Sequence, residues 1–172
     1  MNGFILLLPL LLLRYLVLYL LNPASLKRAL HLPPMAGQLQ FIYWIYQIST
    51  LVMLLYPAFL RLDKTKLGFY PGLLIYLGGI ILGFLALVAF SKTNENGFCN
   101  QGIYRYFRHP IYLSYFFYFL GCALLLHSLV LLVNLAILQL ATHFIVKAEE
   151  QWCLANFGSA YLQYCQTVRR FL

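Results

Sequence analysis

Long apolar runs dominate the chain, and short polar pieces separate them. Five stretches stand out: Phe4 to Leu21, Phe41 to Leu60, Phe69 to Phe90, Ile111 to Leu126 and Ser128 to Val146. At 1.5 Å per residue the first would make roughly 27 Å of helix, close to the ~30 Å hydrocarbon thickness of a bilayer, and all five read as crossings. The first lacks a basic leader and a small-residue cleavage site, and Arg14 interrupts it, so it reads as a span and not as a signal peptide. Ile111 to Val146 would be roughly 54 Å as one helix, too long for one crossing. The polar pair His127 and Ser128 is therefore the expected reversal, although no Gly or Pro marks it.

Composition narrows the class. Of 172 residues, 63% are hydrophobic and 9% are charged, with a mean hydropathy of +0.80. A soluble domain carries about 25% charged residues, so a globule in water is excluded. At this length a separate large soluble catalytic domain is excluded as well. The expected fold is all-α: a polytopic integral membrane protein with about five transmembrane helices, the last two a helical hairpin. Residues 1–90 would hold three spans, and residues 91–172 the hairpin, its flanking loop and a tail.

The 12 Lys and Arg against 4 Asp and Glu read as topology signals and not as a nucleic-acid surface, because no basic stripe has room for a phosphate backbone. Lys27, Arg28, Lys92, Arg105, Arg108, Lys147, Arg169 and Arg170 fall on one side, against Arg61, Lys64 and Lys66 on the other. That imbalance puts the N-terminus outside and the C-terminus in the cytoplasm, in either a bacterial inner membrane or the endoplasmic reticulum. Cys99, Cys122, Cys153 and Cys165 form no CxxC pair and no cluster with histidine, so reduced structural thiols are expected and a metal is not. Gly79 and Gly83 form a GxxxG beside Gly78, which permits close approach of a neighbouring backbone, more simply within the chain than in a dimer.

Two hydrophilic pieces fall on the cytoplasmic side. Ser91 to Pro110 ends in Arg108, His109 and Pro110, and Pro is favourable in the first turn of a helix. A cation beside a helix start suits a carboxylate or phosphate. The second piece brings Glu149 and Glu150 at the end of an apolar helix, where two carboxylates repel each other and oppose the helix dipole. A hairpin would set these glutamates beside Arg108 and His109, and ionisable groups at such a place are functional candidates. His143 stands about one turn before Lys147 on the same face. After Glu150, Leu154, Phe157, Tyr161, Tyr164 and Val168 recur at steps of three and four, describing an amphipathic interfacial helix that serves as an aromatic lid or as an anchor. Gly158 and Ser159 suggest a stop and a restart within it.

The string Gly102-Ile103-Tyr104-Arg105-Tyr106-Phe107-Arg108-His109-Pro110-Ile111-Tyr112, then an apolar hairpin, Glu149-Glu150 and Phe157-Gly158-x-x-Tyr161-x-x-Tyr164, resembles the isoprenylcysteine carboxyl methyltransferase family. The related phospholipid N-methyltransferases share the RHPxY and EE core. The resemblance spans Ser91 to Leu172 and implies S-adenosylmethionine as methyl donor, with a lipophilic acceptor entering from the bilayer. It implies donor contacts from Asn96, Gly97, Phe98, Cys99, Tyr104, His109, Pro110, Ile111, Tyr112 and Glu149. Arg108, His143, Lys147 and Glu150 are the candidates for acceptor chemistry. No GxGxxG is present, so a soluble-type nucleotide fold is not the route.

One position departs from the resemblance: the family's arginine about four residues before the first glutamate is Ile145 here. Lys147 or His143 would have to stand in for it, and without the guanidinium the acceptor stays open. The alternatives are a phospholipid or other amine N-methyltransferase, a nicotinamide-binding membrane reductase with a related core, and a non-enzymatic assembly subunit.

Overall fold

The computed structural model describes residues 2–22, 37–66, 68–92 and 98–171. Lys27, Arg28, His31, Asn96 and Gly97 lie outside these residues. Five helical stretches organise them: α1 (Gly3–Leu21), α2 (Gln38–Leu55), α3 (Phe69–Ser91), α4 (Pro110–Leu125) and α5 (Leu129–Thr167). Among the described residues there is no strand, only two isolated bridges. α1, α2 with its 3-10 extension, α3 and α5 are long and apolar enough to cross a membrane, while α4, at 16 residues, is shorter. Large apolar side chains line the outer faces, for example Leu129, Val130, Val133, Ile137, Leu140 and Phe144 along α5. The opposite face of α5 buries Leu131, Leu135, Leu138, Ile145 and Val146. A helix apolar all round needs apolar surroundings on its outer side too.

α3 and α4 pack most extensively. Glycine makes this possible from both helices: a Cβ on Gly79 would fall 2.5 Å from the Tyr118 amide nitrogen, and one on Gly121 would fall 2.5 Å from the Tyr76 Cα. Gly83 faces Ser114 in the same seam, whereas Gly78 meets nothing within 4 Å. The small-residue stripe therefore serves packing within the chain.

α1 is irregular. A 3-10 turn (Gly3–Leu7) precedes a short α piece opened by Pro9, and a π-helical turn (Leu12–Val17) follows. The Leu6 carbonyl accepts from the Tyr76 and Tyr118 hydroxyls, which anchors this helix to α3 and α4.

The reversal between α4 and α5 falls at Leu126–Ser128, with His127 in the left-handed region at φ 48°. The Ser128 amide donates to the Ala123 carbonyl (3.0 Å) and the His127 amide to the Leu124 carbonyl (3.2 Å). This is a Schellman closure with His where Gly or Asn is usual. Ser128 then caps α5, its hydroxyl accepting from the Leu131 amide at 3.3 Å.

α5 differs from expectation in its length. Its apolar part ends at Val146, yet the helix continues through Glu149 and Glu150 without interruption. Hydropathy marks where lipid ends, whereas backbone hydrogen bonding goes on through good helix formers such as Lys147, Ala148 and the glutamates. The break comes at Gly158, whose φ of 53° and ψ of −131° are not helical. α2 also ends earlier than its apolar run, passing at Tyr56–Phe59 into a 3-10 turn that holds Pro57.

Candidate active site

The start of α4 and the middle of α5 meet at one end of the bundle. Neighbouring residues on a helix are about 100° apart, so Glu149 and Glu150 point in different directions. Glu150 is 7% exposed. Its Oε1 accepts from Arg108 Nε at 3.0 Å and its Oε2 from Arg170 Nη2 at 2.5 Å, and His109 Nε2 is 3.2 Å from Oε1. Burial alone would raise its pKa, but the hydrogen bonds from His109, Arg170 and Arg108 outweigh that and hold the carboxyl well below the usual carboxylate range.

Arg108 also donates to the carbonyls of Cys165 (2.8 Å) and Val168 (2.5 Å), and its amide donates to the Arg169 carbonyl (2.9 Å). The Arg108–Glu150–Arg170 cluster thus fastens the chain after Gly158 onto the helix ends. An aromatic cluster does the same beside it. Phe98 packs against Phe157, Tyr161 and Tyr164 with ring centroids 5.4, 5.3 and 5.5 Å apart. The Tyr164 hydroxyl donates to the Tyr104 carbonyl at 2.7 Å.

Glu149 has different surroundings. The Tyr112 hydroxyl donates to its Oε1 at 2.5 Å, and His109 Nδ1 lies 3.8 Å from Oε2. Glu149 stands beyond the apolar span of α5, and burial pushes its pKa up against the lowering effects of Tyr112 and His109. A carboxylate disfavoured in this way gains from a cationic ligand brought to it.

Glu149 and Tyr112 line a cavity of about 680 Å³. Around them stand His109, Arg108 and the aromatic rings of Phe98, Tyr104, Trp152, Phe157, Tyr161 and Tyr164. The wall continues to Arg14 of α1, Tyr46, Gln47 and Thr50 of α2, Tyr115 and Phe119 of α4, and Leu138, Gln139 and Thr142 of α5. Its size is that of a small-molecule site, apolar with a few convergent polar groups. Residues 1–90 contribute as well as residues 91–172, so the cavity is not confined to the C-terminal half.

Among the residues singled out from sequence, Phe98, Cys99, Tyr104, Arg108, His109, Ile111, Tyr112 and Glu149 line the cavity, and Pro110 is buried at the start of α4. Three candidates need correction. Glu150 is turned into the ion cluster and does not line the cavity. His143 and Lys147 are exposed, His143 lying against Phe144. The face of α5 that meets the cavity runs through Leu138, Thr142, Glu149 and Trp152, and positions 143 and 147 are out of phase with it. Neither lines the cavity, and Ile145 itself is fully buried.

Tyr115 escaped the sequence reading, Arg170 entered it only as a topology signal, and Arg14 only as a charge inside the first span that snorkels or faces the bundle. For Arg170 the available signal was a cation near the chain end in a protein with few acids. For Arg14 it was a charge within an apolar run.

A family model described as phospholipid methyltransferase matches residues 71–160, just over half of the 172-residue chain. A Schizosaccharomyces pombe protein described as protein-S-isoprenylcysteine O-methyltransferase is 30% identical over 132 residues, covering 76% of this chain and 50% of the relative. The chain therefore spans about half the length of the curated relative it matches. No solved structure matches it.

Proposed function

The chain belongs to the phospholipid methyltransferase family, and on that premise we propose that it is a membrane methyltransferase acting on a lipophilic, isoprenylcysteine-type carboxylate with S-adenosylmethionine as donor. The observation that carries this reading is the half-buried Glu149, bonded to Tyr112 in the wall of an aromatic cavity. The donor carries an ammonium, a sulfonium, a carboxylate and an adenine, and the residues present suit each of these. Glu149 would take a cationic group, His109 and Arg108 the carboxylate, and Phe98, Tyr104, Phe157 and Tyr161 the adenine face. Bound there, S-adenosylmethionine supplies an electrophilic methyl group for in-line transfer.

The chain's own part is alignment and exclusion of water. The aromatic tail, fastened by Arg108, Glu150 and Arg170, roofs the cavity; α1 and α2 wall its lipid side, where a prenyl chain would enter. In this reading α4 crosses with its shorter helix, α4 and α5 form a transmembrane hairpin, and the segment after Gly158 lies in the interface. The N-terminus is outside and the C-terminus cytoplasmic.

A carboxylate acceptor needs no base. An amine acceptor does, and with Glu150, His143 and Lys147 all off the cavity the remaining candidates, His109 and Glu149, are the residues that would hold the donor in this reading. The family description nonetheless keeps phosphatidylethanolamine N-methylation as the second reading. Purified protein given labelled donor with prenylcysteine acids or with phosphatidylethanolamine vesicles separates the two. Label in base-labile methyl ester supports the first, and label in stable headgroup methyls supports the second. If no saturable S-adenosylhomocysteine binding appears by calorimetry, both fail.

A further inference from the structure

Arg14 is a guanidinium within the apolar run of α1, and it lines the cavity. The Tyr115 hydroxyl accepts from its Nη1, and its Cζ lies 5.7 Å from the centre of the Tyr115 ring. No acid among the described residues pairs with it: Asp63 is bonded to Thr65, Glu149 to Tyr112, and Glu150 to Arg108 and Arg170. A cation at membrane depth without a carboxylate is expensive, and such residues mark substrate paths. The helix deforms around it as well, since Arg14 belongs to the π-helical turn Leu12–Val17, a form found often at functional sites.

Tyr115 stands three residues after Tyr112 on α4, a rise of about 4.5 Å. The two tyrosines, close to one face of α4, therefore each hold a charged group at the cavity wall: Glu149 by Tyr112, Arg14 by Tyr115. The same cavity is also lined by the apolar side chains of Leu10, Leu11, Leu54 and Phe119.

We infer that Arg14, positioned by Tyr115, binds the carboxylate of the methyl acceptor, supplying from the first helix the guanidinium absent at Ile145. The inference rests on the methyltransferase reading above and adds to it the residue that selects an acid. It also gives a direction to turnover. In the transfer the acceptor oxygen gains the methyl carbon, the donor sulfur keeps the electron pair of the broken carbon–sulfur bond, and no proton moves. The product is a neutral ester, so the charge that Arg14 holds disappears with the reaction. Arg14 favours substrate over product.

The test uses the full chain in detergent with N-acetyl-S-farnesylcysteine, its methyl ester and its primary amide, measuring binding without donor and KM with it. The acid is expected to bind wild type roughly 10- to 100-fold more tightly than the amide or ester. Arg14→Gln brings that ratio near one and raises KM for the acid by a similar factor. Affinity for S-adenosylhomocysteine stays unchanged, and Arg14→Lys restores part of the acid preference. Equal binding of acid and amide by wild type overturns the inference, as does an acid preference that survives in Arg14→Gln. If Arg14→Gln loses S-adenosylhomocysteine affinity through misfolding, Arg14→Lys decides: retained acid preference supports the inference, and lost preference with donor affinity intact overturns it. Absence of S-adenosylhomocysteine binding in wild type sinks the methyltransferase reading instead, and the donor-free acid-to-amide ratio still judges Arg14.

Discussion

Glu149 and Glu150 are adjacent in sequence but sit on opposite sides of an electrostatic boundary. Glu150 is neutralised by Arg108 and Arg170, whereas Glu149 has only the Tyr112 hydroxyl at 2.5 Å and His109 at 3.8 Å. The pair that looks redundant in the sequence divides into an ion-paired carboxylate and a cavity-facing one.

Glu149→Gln is expected to weaken S-adenosylhomocysteine binding by roughly 10- to 100-fold, since a hydrogen bond between charged groups is lost. The protein should remain folded, because Tyr112 can still donate to the amide oxygen. Calorimetry measures the first effect and a thermal scan the second.

The raised pKa of Glu149 gives donor binding a pH dependence. As pH falls through that pKa the carboxylate takes up a proton and no longer attracts a cation. Donor affinity should therefore decline in mild acid, at a pH above the ~4.3 of an ordinary glutamate. Binding isotherms across pH would show the decline in wild type and its absence in Glu149→Gln.

Glu150→Ala leaves Arg108 and Arg170 without their shared partner at a site where Glu150 is 7% exposed. Breaking a buried ion pair from one side costs about 3 kcal/mol or more, and thermal unfolding should register it. The pKa of Glu150 is lowered in the fold, so its contribution is complete above the unfolded value of about 4.3 and is lost as pH falls below that toward the folded value. Stability should drop in strong acid in wild type and less steeply in Glu150→Gln.

Gly79→Val forces side-chain atoms against the backbone of Tyr118, where even a Cβ would lie at 2.5 Å. A loss of at least ~1–3 kcal/mol is expected in a denaturation measurement. Gly78→Ala, one residue away with nothing within 4 Å, should be neutral or stabilising by up to about 1 kcal/mol.

Gly158→Ala isolates a backbone effect, because no atom lies within 4 Å of the added methyl but φ is +53°. With ψ at −131° the position lies outside the left-handed helical well and suits glycine alone, so the change should cost about 1–3 kcal/mol. The strain falls on the joint that aims Tyr161 and Tyr164 at Phe98, so S-adenosylhomocysteine affinity measured by calorimetry should fall along with stability.

α1, α2, α3 and α5 were legible in the sequence because each is apolar over a length that can cross a bilayer, whereas α4 is shorter at 16 residues, and the meeting of Tyr112 with Glu149 followed from the two motifs. The end of α5 was not, since the polar residues after Val146 are good helix formers and only Gly158 changes the backbone. The turn at His127 was placed by length alone, because a non-glycine residue fills the left-handed position. That His143 and Lys147 stand off the cavity was not legible, because helical phase relative to a cavity depends on which face packs inward. Arg14 could be seen as an oddity, but its contact with Tyr115 joins positions 101 apart through a π turn that no local pattern announces.

Tyr112 and Tyr115 project from a single rod, so helical pitch sets the interval between the groups they hold like the marks on a ruler. Rocking of the surrounding segments can widen or narrow the chamber sideways, but it cannot restretch that interval. The chamber accordingly sets the donor's cationic group and the acceptor's carboxylate against neighbouring levels of one helix, whatever the length of the greasy chain that follows.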